Sequence, residues 1–139
     1  MQLLSIGDAA KATGVSAKMI RHYEAVGLLP APERTPAGYR QYGAADLHTL
    51  TFIRHARDLG FSIAEIGKLV GLWQDRQRPS RLVKALAEAH IEALEKKAQE
   101  LLAMKRTLEN LVRCCRGDDR PACPILETLA GDVDREVDR

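Results

Sequence analysis

Between Ala87 and Val112, apolar residues recur in alternating steps of four and three: Ala87, Ile91, Leu94, Ala98, Leu101, Leu108 and Val112, with Lys105 filling one place in the series. This is a heptad seam, the pattern of a helix that lays one apolar stripe along another helix. At about 1.5 Å per residue it runs roughly 40 Å, further than a small globule can cover. The chain has 139 residues, enough for one or two small domains with a modest core. A partner helix is therefore needed, most simply the same helix of a second subunit, which predicts a homodimer.

The N-terminal third reads as two short helices followed by a hairpin. Ser5 with Asp8 has the form of a capping box, opening a helix that carries Ile6, Ala9 and Ala10 inward and ends at Gly14. Ser16 caps a second helix with Met19, Ile20 and Tyr23 inward, and Gly27 stops it. Ser16, Lys18 and Arg21 then fall on the outer face of its first turns, where a recognition helix meets phosphates and base edges. From Glu33 to Tyr42 a turn at Pro36-Ala37-Gly38 separates Arg34 from Tyr39-Arg40, as in a two-stranded wing whose cations and phenols suit phosphate contacts. The helix-turn-helix with a wing is the outline of a DNA reader. The net charge of +2 decides little, since such a protein needs cations on one face and not a basic total.

Further along, Leu47, Leu50, Ile53 and Leu59 predict a third helix that stops at Gly60, with Arg54 and Arg57 off the stripe. Phe61 precedes a second capping box, Ser62 to Glu65, and Ile66, Leu69, Val70 and Trp73 continue the buried side of a fourth helix. Residues 75 to 79 break the pattern before Ser80 caps the long helix. The basic cluster of Arg76, Arg78, Arg81 and Lys84 reads as a solvated linker. No apolar run approaches the roughly 20 residues of a membrane span, and the N-terminus has no signal-like segment, so a cytoplasmic protein is expected. No acid-base pair, nucleophile constellation or phosphate-binding glycine loop points to an enzyme.

Three cysteines in a reducing compartment favour metal binding or thiol chemistry over a disulfide framework. Cys115 and Cys123 are separated by seven residues rich in Gly, Asp and Pro, a loop able to bring its ends together. Pro124 followed by Ile125, Leu126 and Leu129 predicts a short terminal helix whose N-terminus sits at the Cys123 sulfur and favours a thiolate. Two thiolates facing a partial positive charge suit a soft monovalent ion, because structural Zn(II) usually takes four ligands. Asp118 and Asp119 read as exposed turn formers. An incidental thiol pair and a reversible redox switch fit the same spacing. A small copper chaperone would also use two such cysteines, but it has no use for residues 5 to 42.

The run IRHYEAVGLL and the following R-x3-GYRQY resemble the N-terminal domain of the MerR family of bacterial transcription regulators. The segment CC-x-GDDRPACPI resembles the effector loop of that family's copper-sensing CueR/HmrR branch. The resemblance covers the whole chain. It implies a mainly α fold: a winged helix-turn-helix domain at 1–74, a linker at 75–79, an antiparallel coiled-coil dimerisation helix at 80–112, a metal-binding loop and terminal helix at 113–131, and a disordered tail at 132–139. The DNA-binding set is then Ser16, Lys18, Arg21, Tyr23, Arg34, Tyr39, Arg40, Tyr42 and Arg54. The resemblance also implies that Cys115 and Cys123 hold Cu(I) in nearly linear geometry, with Ag(I) or Au(I) able to substitute. Branches that sense divalent ions carry a cysteine where this chain has Ser80. Promoter DNA and RNA polymerase are the implied partners, and distortion of a copper-resistance or efflux promoter on metal binding is the implied mechanism. The alternatives are a divalent Zn(II) or Cd(II) sensor that recruits Cys114 or His90, and a thiol-redox regulator of the same fold.

Overall fold

Serines close the open ends of three of the first four helices. In the computed structural model, which describes residues 2–118, 121 and 123–131, the Ser5 hydroxyl accepts from the Asp8 N–H at 3.2 Å to start α1, Ile6–Thr13. Gly14 ends it with φ +74°, a conformation that costs an L side chain about 1–2 kcal/mol. Ser16 accepts from the Met19 N–H at 3.1 Å and starts α2, Ala17–Ala25. The wing follows as β1, Glu33–Arg34, antiparallel to β2, Arg40–Gln41, with Glu33 opposite Gln41 and Arg34 opposite Arg40. Tyr42 then exchanges two backbone hydrogen bonds of 2.8 Å with Leu4, which ties the wing to the start of the chain. After α3, Ala44–Asp58, the reciprocal box of Ser62 and Glu65 opens α4, Ile63–Gln74.

These elements close over one core. Its largest fully buried side chains are Tyr23, Tyr42, Ile20, Leu50, Ile53 and Ile66, drawn from α2, the end of the wing, α3 and α4. Leu59 departs from its predicted place on the buried stripe. The helix stops at Asp58, so Leu59 falls off the helical phase and is 65% exposed. Trp73 lies at the margin, its ring stacked on Phe52 at 4.5 Å, and Arg78 of the linker donates to the carbonyl oxygens of Asp75 and Trp73. The compact unit runs from Met1 to Leu86, past the expected boundary at 74. Leu82, Ala85 and Leu86 account for the difference, since they line an apolar groove with Lys68, Gly71 and Leu72 of α4.

The second unit runs from Ala87 onward and contains most of α5, Ser80–Cys114, and the short α6, Pro124–Leu129. Ser80 is the first residue of α5, and the helix continues two residues beyond the predicted end at 112. Its seam is uncovered: Ile91, Leu94, Leu101, Leu108 and Val112 are each 45 to 59% exposed. Among the described residues, no helix is long and apolar enough to cross a membrane. The expectations for Asp119 and for the tail 132–139 lie outside the described residues.

Packing sets the cost of substitution in the head. Leu50→Ala is expected to lower unfolding stability by about 2–5 kcal/mol, and Leu59→Ala by no more than about 0.5 kcal/mol. Urea denaturation followed by circular dichroism measures both; equal losses would put Leu59 back in the core.

Candidate DNA interface and metal centre

At the head of α2, the cap formed by Ser16 leaves the side chains of Lys18 and Arg21 in solvent on the outer face. Arg54, half exposed on α3, reaches back to donate to the Thr13 carbonyl at 3.3 Å and lies 3.9 Å from Asp58. A Cβ on Gly14 would sit 2.5 Å from the Arg54 guanidinium, so this glycine serves both the left-handed turn and that approach. Ser16, Tyr23, Arg54 and Arg57 line a common cleft at the start of α2. There, free helix N–H groups and two guanidinium groups suit an anion such as a phosphate. In the wing, Arg34 braces the turn by donating to the Gly38 carbonyl at 2.8 Å, and Tyr39 stands 73% exposed beyond it.

Three residues expected at the DNA surface are turned inward. Tyr23 is buried, and its hydroxyl accepts from Arg57 at 2.8 Å. Tyr42 is buried and donates its hydroxyl hydrogen bond to Glu24. Burial, reinforced by the Glu24 hydrogen bond and charge, pushes its phenol pKa well above the ordinary tyrosine value. Arg40 is committed to the same carboxylate, with Nε 3.0 Å from Glu24 Oε2. For the two tyrosines the reason is that a phenol ring offers a large apolar area, which a core next to a two-stranded ribbon takes up; Arg40 is drawn in by the Glu24 carboxylate. Glu24 is a polar residue of this surface that the motifs did not single out, and Arg57, expected only to lie off the α3 stripe, is the partner of Tyr23. The available signal for Glu24 is that it is the one acid of α2.

At the other end of α5, the Cys115 N–H donates to the carbonyls of Leu111 and Val112 at 3.1 Å, closing the helix. Gly117, at φ +65°, turns the chain back. Cys123 occupies the N-cap of α6 with Pro124 at the first helical position. The Cys123 thiol pKa is lowered. The amide of Leu126 contributes most, followed by the amide of Ile125 and a hydrogen bond from Cys115, with burial and Glu127 opposing. The amides act on the sulfur without a formal side-chain cap. Cys115 and Cys123 thus lie close enough for their side chains to interact, and both are free and half-buried.

The other potential ligands are not brought to this pair. Cys114 is exposed on the last turn of α5, about 100° around the helix from Cys115. His90 is buried on the same helix, roughly 37 Å up the chain from Cys115 at about 1.5 Å per residue. Asp118 is exposed. Among the described residues, no cluster of three or more Cys, His, Asp or Glu side chains is arranged to hold a metal ion. Two sulfurs are a donor set that fits a soft, low-coordinate ion.

Residues 4–71 match the family described as "MerR HTH family regulatory protein" and residues 47–111 the one described as "MerR, DNA binding". The chain is 53% identical to "Heavy metal-dependent transcription regulator 2" of Rhizobium meliloti, over 91% of this chain and 86% of that one. It is 42% identical to the HTH-type transcriptional regulator CueR of Escherichia coli O157:H7, over 92% of this chain and 95% of that one. Among solved structures, the transcription regulator PbrR691 of Ralstonia metallidurans CH34 in complex with lead(II) superposes with a TM-score of 0.76 at 34% identity, covering 91% and 98% of the two chains.

In reduced, metal-free protein, Cys123 is expected to alkylate with an apparent pKa below the roughly 8.5 of a free cysteine. Cys115→Ala, which removes the donated hydrogen bond, should move that value up. Peptide mass spectrometry after iodoacetamide pulses across pH reads it, and an unchanged profile would separate the two thiols.

Proposed function

This chain belongs to the MerR family of transcriptional regulators, which are DNA-binding proteins and not enzymes, and from that premise we propose a heavy-metal-responsive homodimer whose metal is Cu(I). Acting in the cytoplasm on double-stranded promoter DNA together with RNA polymerase, it switches on a copper-resistance or efflux promoter by distorting the DNA. The observation that carries the metal assignment is the placement of Cys123 at the N-terminus of α6 beside Cys115, with the Leu126 and Ile125 amides lowering the Cys123 pKa. Bound there, Cu(I) or its soft relatives Ag(I) and Au(I) would take two sulfur donors. The charge of two thiolates is eased by the amides, so a monovalent ion is matched without further acidic ligands.

The dimer follows from the uncovered seam. Half-exposed Ile, Leu and Val side chains spaced as heptad positions call for a second helix, and completing the burial of one such side chain contributes on the order of 1 kcal/mol. The seam from Ala87 to Val112 has its midpoint between residues 99 and 100. An antiparallel pair in register therefore sets the start of the partner's helix opposite the stretch that follows Cys115. Ser80, at that start, supplies a hydroxyl and no third sulfur, which favours two-coordinate chemistry over a divalent site. A Zn(II) or Cd(II) sensor would need Cys114 or His90, which point away from the pair or lie far along the same helix. The thiol contact also suits a disulfide, so a redox response is the second reading.

DNA contact rests on Ser16, Lys18 and Arg21 at the head of α2, Arg54 beside them, and Arg34 and Tyr39 of the wing. These are the members of the expected set with exposed side chains. Transmission rests on α6. Leu126 and Leu129 are 65% and 70% exposed, an apolar face free to pack when metal fixes the loop, and that packing is the two-state element.

Anaerobic in vitro transcription on the protein's own promoter tests the assignment. Buffered Cu(I) should activate wild type and Cys114→Ser but not Cys115→Ser, while Zn(II) and metal-free oxidant should leave transcription at its basal level. Activation by Zn(II), by oxidant alone or in Cys115→Ser would move the site to another ligand set or another chemistry. Leu126→Asp is expected to keep Cu(I) affinity within about threefold, since it touches neither sulfur, and to lose activation at least tenfold, about 1.4 kcal/mol of coupling. Intact activation in this variant, read in the same assay, would remove α6 from the transmission path.

A further inference from the structure

We propose that Glu24 is a positioning residue for DNA binding: its carboxylate clamps the wing to the recognition helix, so an acidic side chain inside the DNA-binding head strengthens the grip on DNA. The proposal rests on the DNA-binding reading above and adds a residue to it. Glu24 lies in the last turn of α2 with its side chain only 10% exposed. Each of its oxygens is taken by a different residue of the wing. Oε2 accepts from Arg40 Nε at 3.0 Å, and Oε1 accepts from the Tyr42 hydroxyl.

The wing needs such a clamp. Its ladder holds only two residue pairs, Glu33 with Gln41 and Arg34 with Arg40, and a two-stranded ribbon of that size is marginal on its own. The angle of the wing to α2 must be set from outside the ribbon. Side chains alternate along an extended segment, so Arg40 and Tyr42 share one face and Tyr39 belongs to the other. The inner face meets Glu24, and the outer face carries Tyr39, the most exposed large side chain of the wing. Holding Arg40 and Tyr42 inward is what holds Tyr39 outward.

Two accounts of Glu24 predict opposite signs. If the residue only adds a negative charge near phosphates, removing the charge tightens binding. If it clamps the wing, removing one acceptor oxygen loosens the contacts that the wing makes. The test uses the full-length, reduced, metal-free protein and a fluorescent duplex of its own promoter, with anisotropy titrations at several salt concentrations. Far-UV circular dichroism and urea melts accompany each variant. Glu24→Gln is expected to raise Kd about tenfold, as loss of a hydrogen bond to a charged group does. Tyr42→Phe should raise it about threefold, and the double variant should bind no worse than Glu24→Gln because both cut one clamp. The salt dependence should become shallower, by about one phosphate contact or more per half-site; a purely destabilised head would lose affinity with its slope intact.

Unchanged or tighter binding by Glu24→Gln overturns the proposal. Should that variant fail to fold, Tyr42→Phe decides alone, since it keeps the buried ring and loses only the hydroxyl; an affinity equal to wild type overturns the clamp. Wild type that fails to bind the duplex in a salt-dependent way removes the DNA-binding reading itself, and the clamp with it.

Discussion

A helix of 35 residues with a half-exposed apolar stripe is not a resting state for one chain in water. That stripe is the observation behind the dimer proposed above. In such a dimer a second helix would cover the seam, and each DNA-reading head would be one half of a symmetric reader, as half-sites on a duplex require. The same α5 connects to the head at Ser80 and hands over to the thiol pair after Cys114, a span of about 50 Å along one continuous element. In the proposed mechanism, that one continuous helix would carry a packing change at the thiol pair toward the head.

The thiol pair works on charge as much as on sulfur chemistry. The amides of Leu126 and Ile125 lower the Cys123 thiol pKa and would also ease the charge of a bound ion, while Glu127 on the same short helix opposes them. A divalent ion would ask for further donors, and the described loop residues supply none in a cluster. In the proposed Cu(I) site, selectivity would come from what is withheld: among the described residues neither Cys114 nor His90 is brought to the pair, and Ser80 would offer the partner's loop a hydroxyl and not a third sulfur.

Much of the scaffold was legible because its signals are local. Ser5, Ser16 and Ser62 mark helix starts through hydrogen bonds to amides three residues on, and Gly14 marks a left-handed stop, so each can be found without knowing the fold. The seam and the turn at Gly38 are likewise periodic or short-range. Other features depend on where an element ends or which way it faces. Leu59 continued an apolar count but not the helix that would have buried it. The end of α5 ran past Val112 because Arg113 and Cys114 carry no stop signal, and Gly117 is the first residue that does. The pairing of Cys115, and not Cys114, with Cys123 depends on which way the last turn of α5 faces, and two adjacent cysteines do not reveal that by their spacing.

The wing holds the most instructive case. Arg34, Tyr39, Arg40 and Tyr42 read alike as cations and phenols suited to phosphates, yet two of them face the core side and pair with Glu24. Composition cannot separate them, but parity can. Tyr39 and Tyr42 are three residues apart on an extended segment, so they must point to opposite faces, and a half-buried ribbon sends one of two such rings inward. The acid in the last turn of α2, Glu24, then identifies which. A carboxylate in a DNA-reading head is costly near phosphate unless it is occupied, and the residues that occupy it are the ones on the inward face. The apparent flaw in the charge pattern, an acid among bases, is therefore the feature that orients the bases that remain outside.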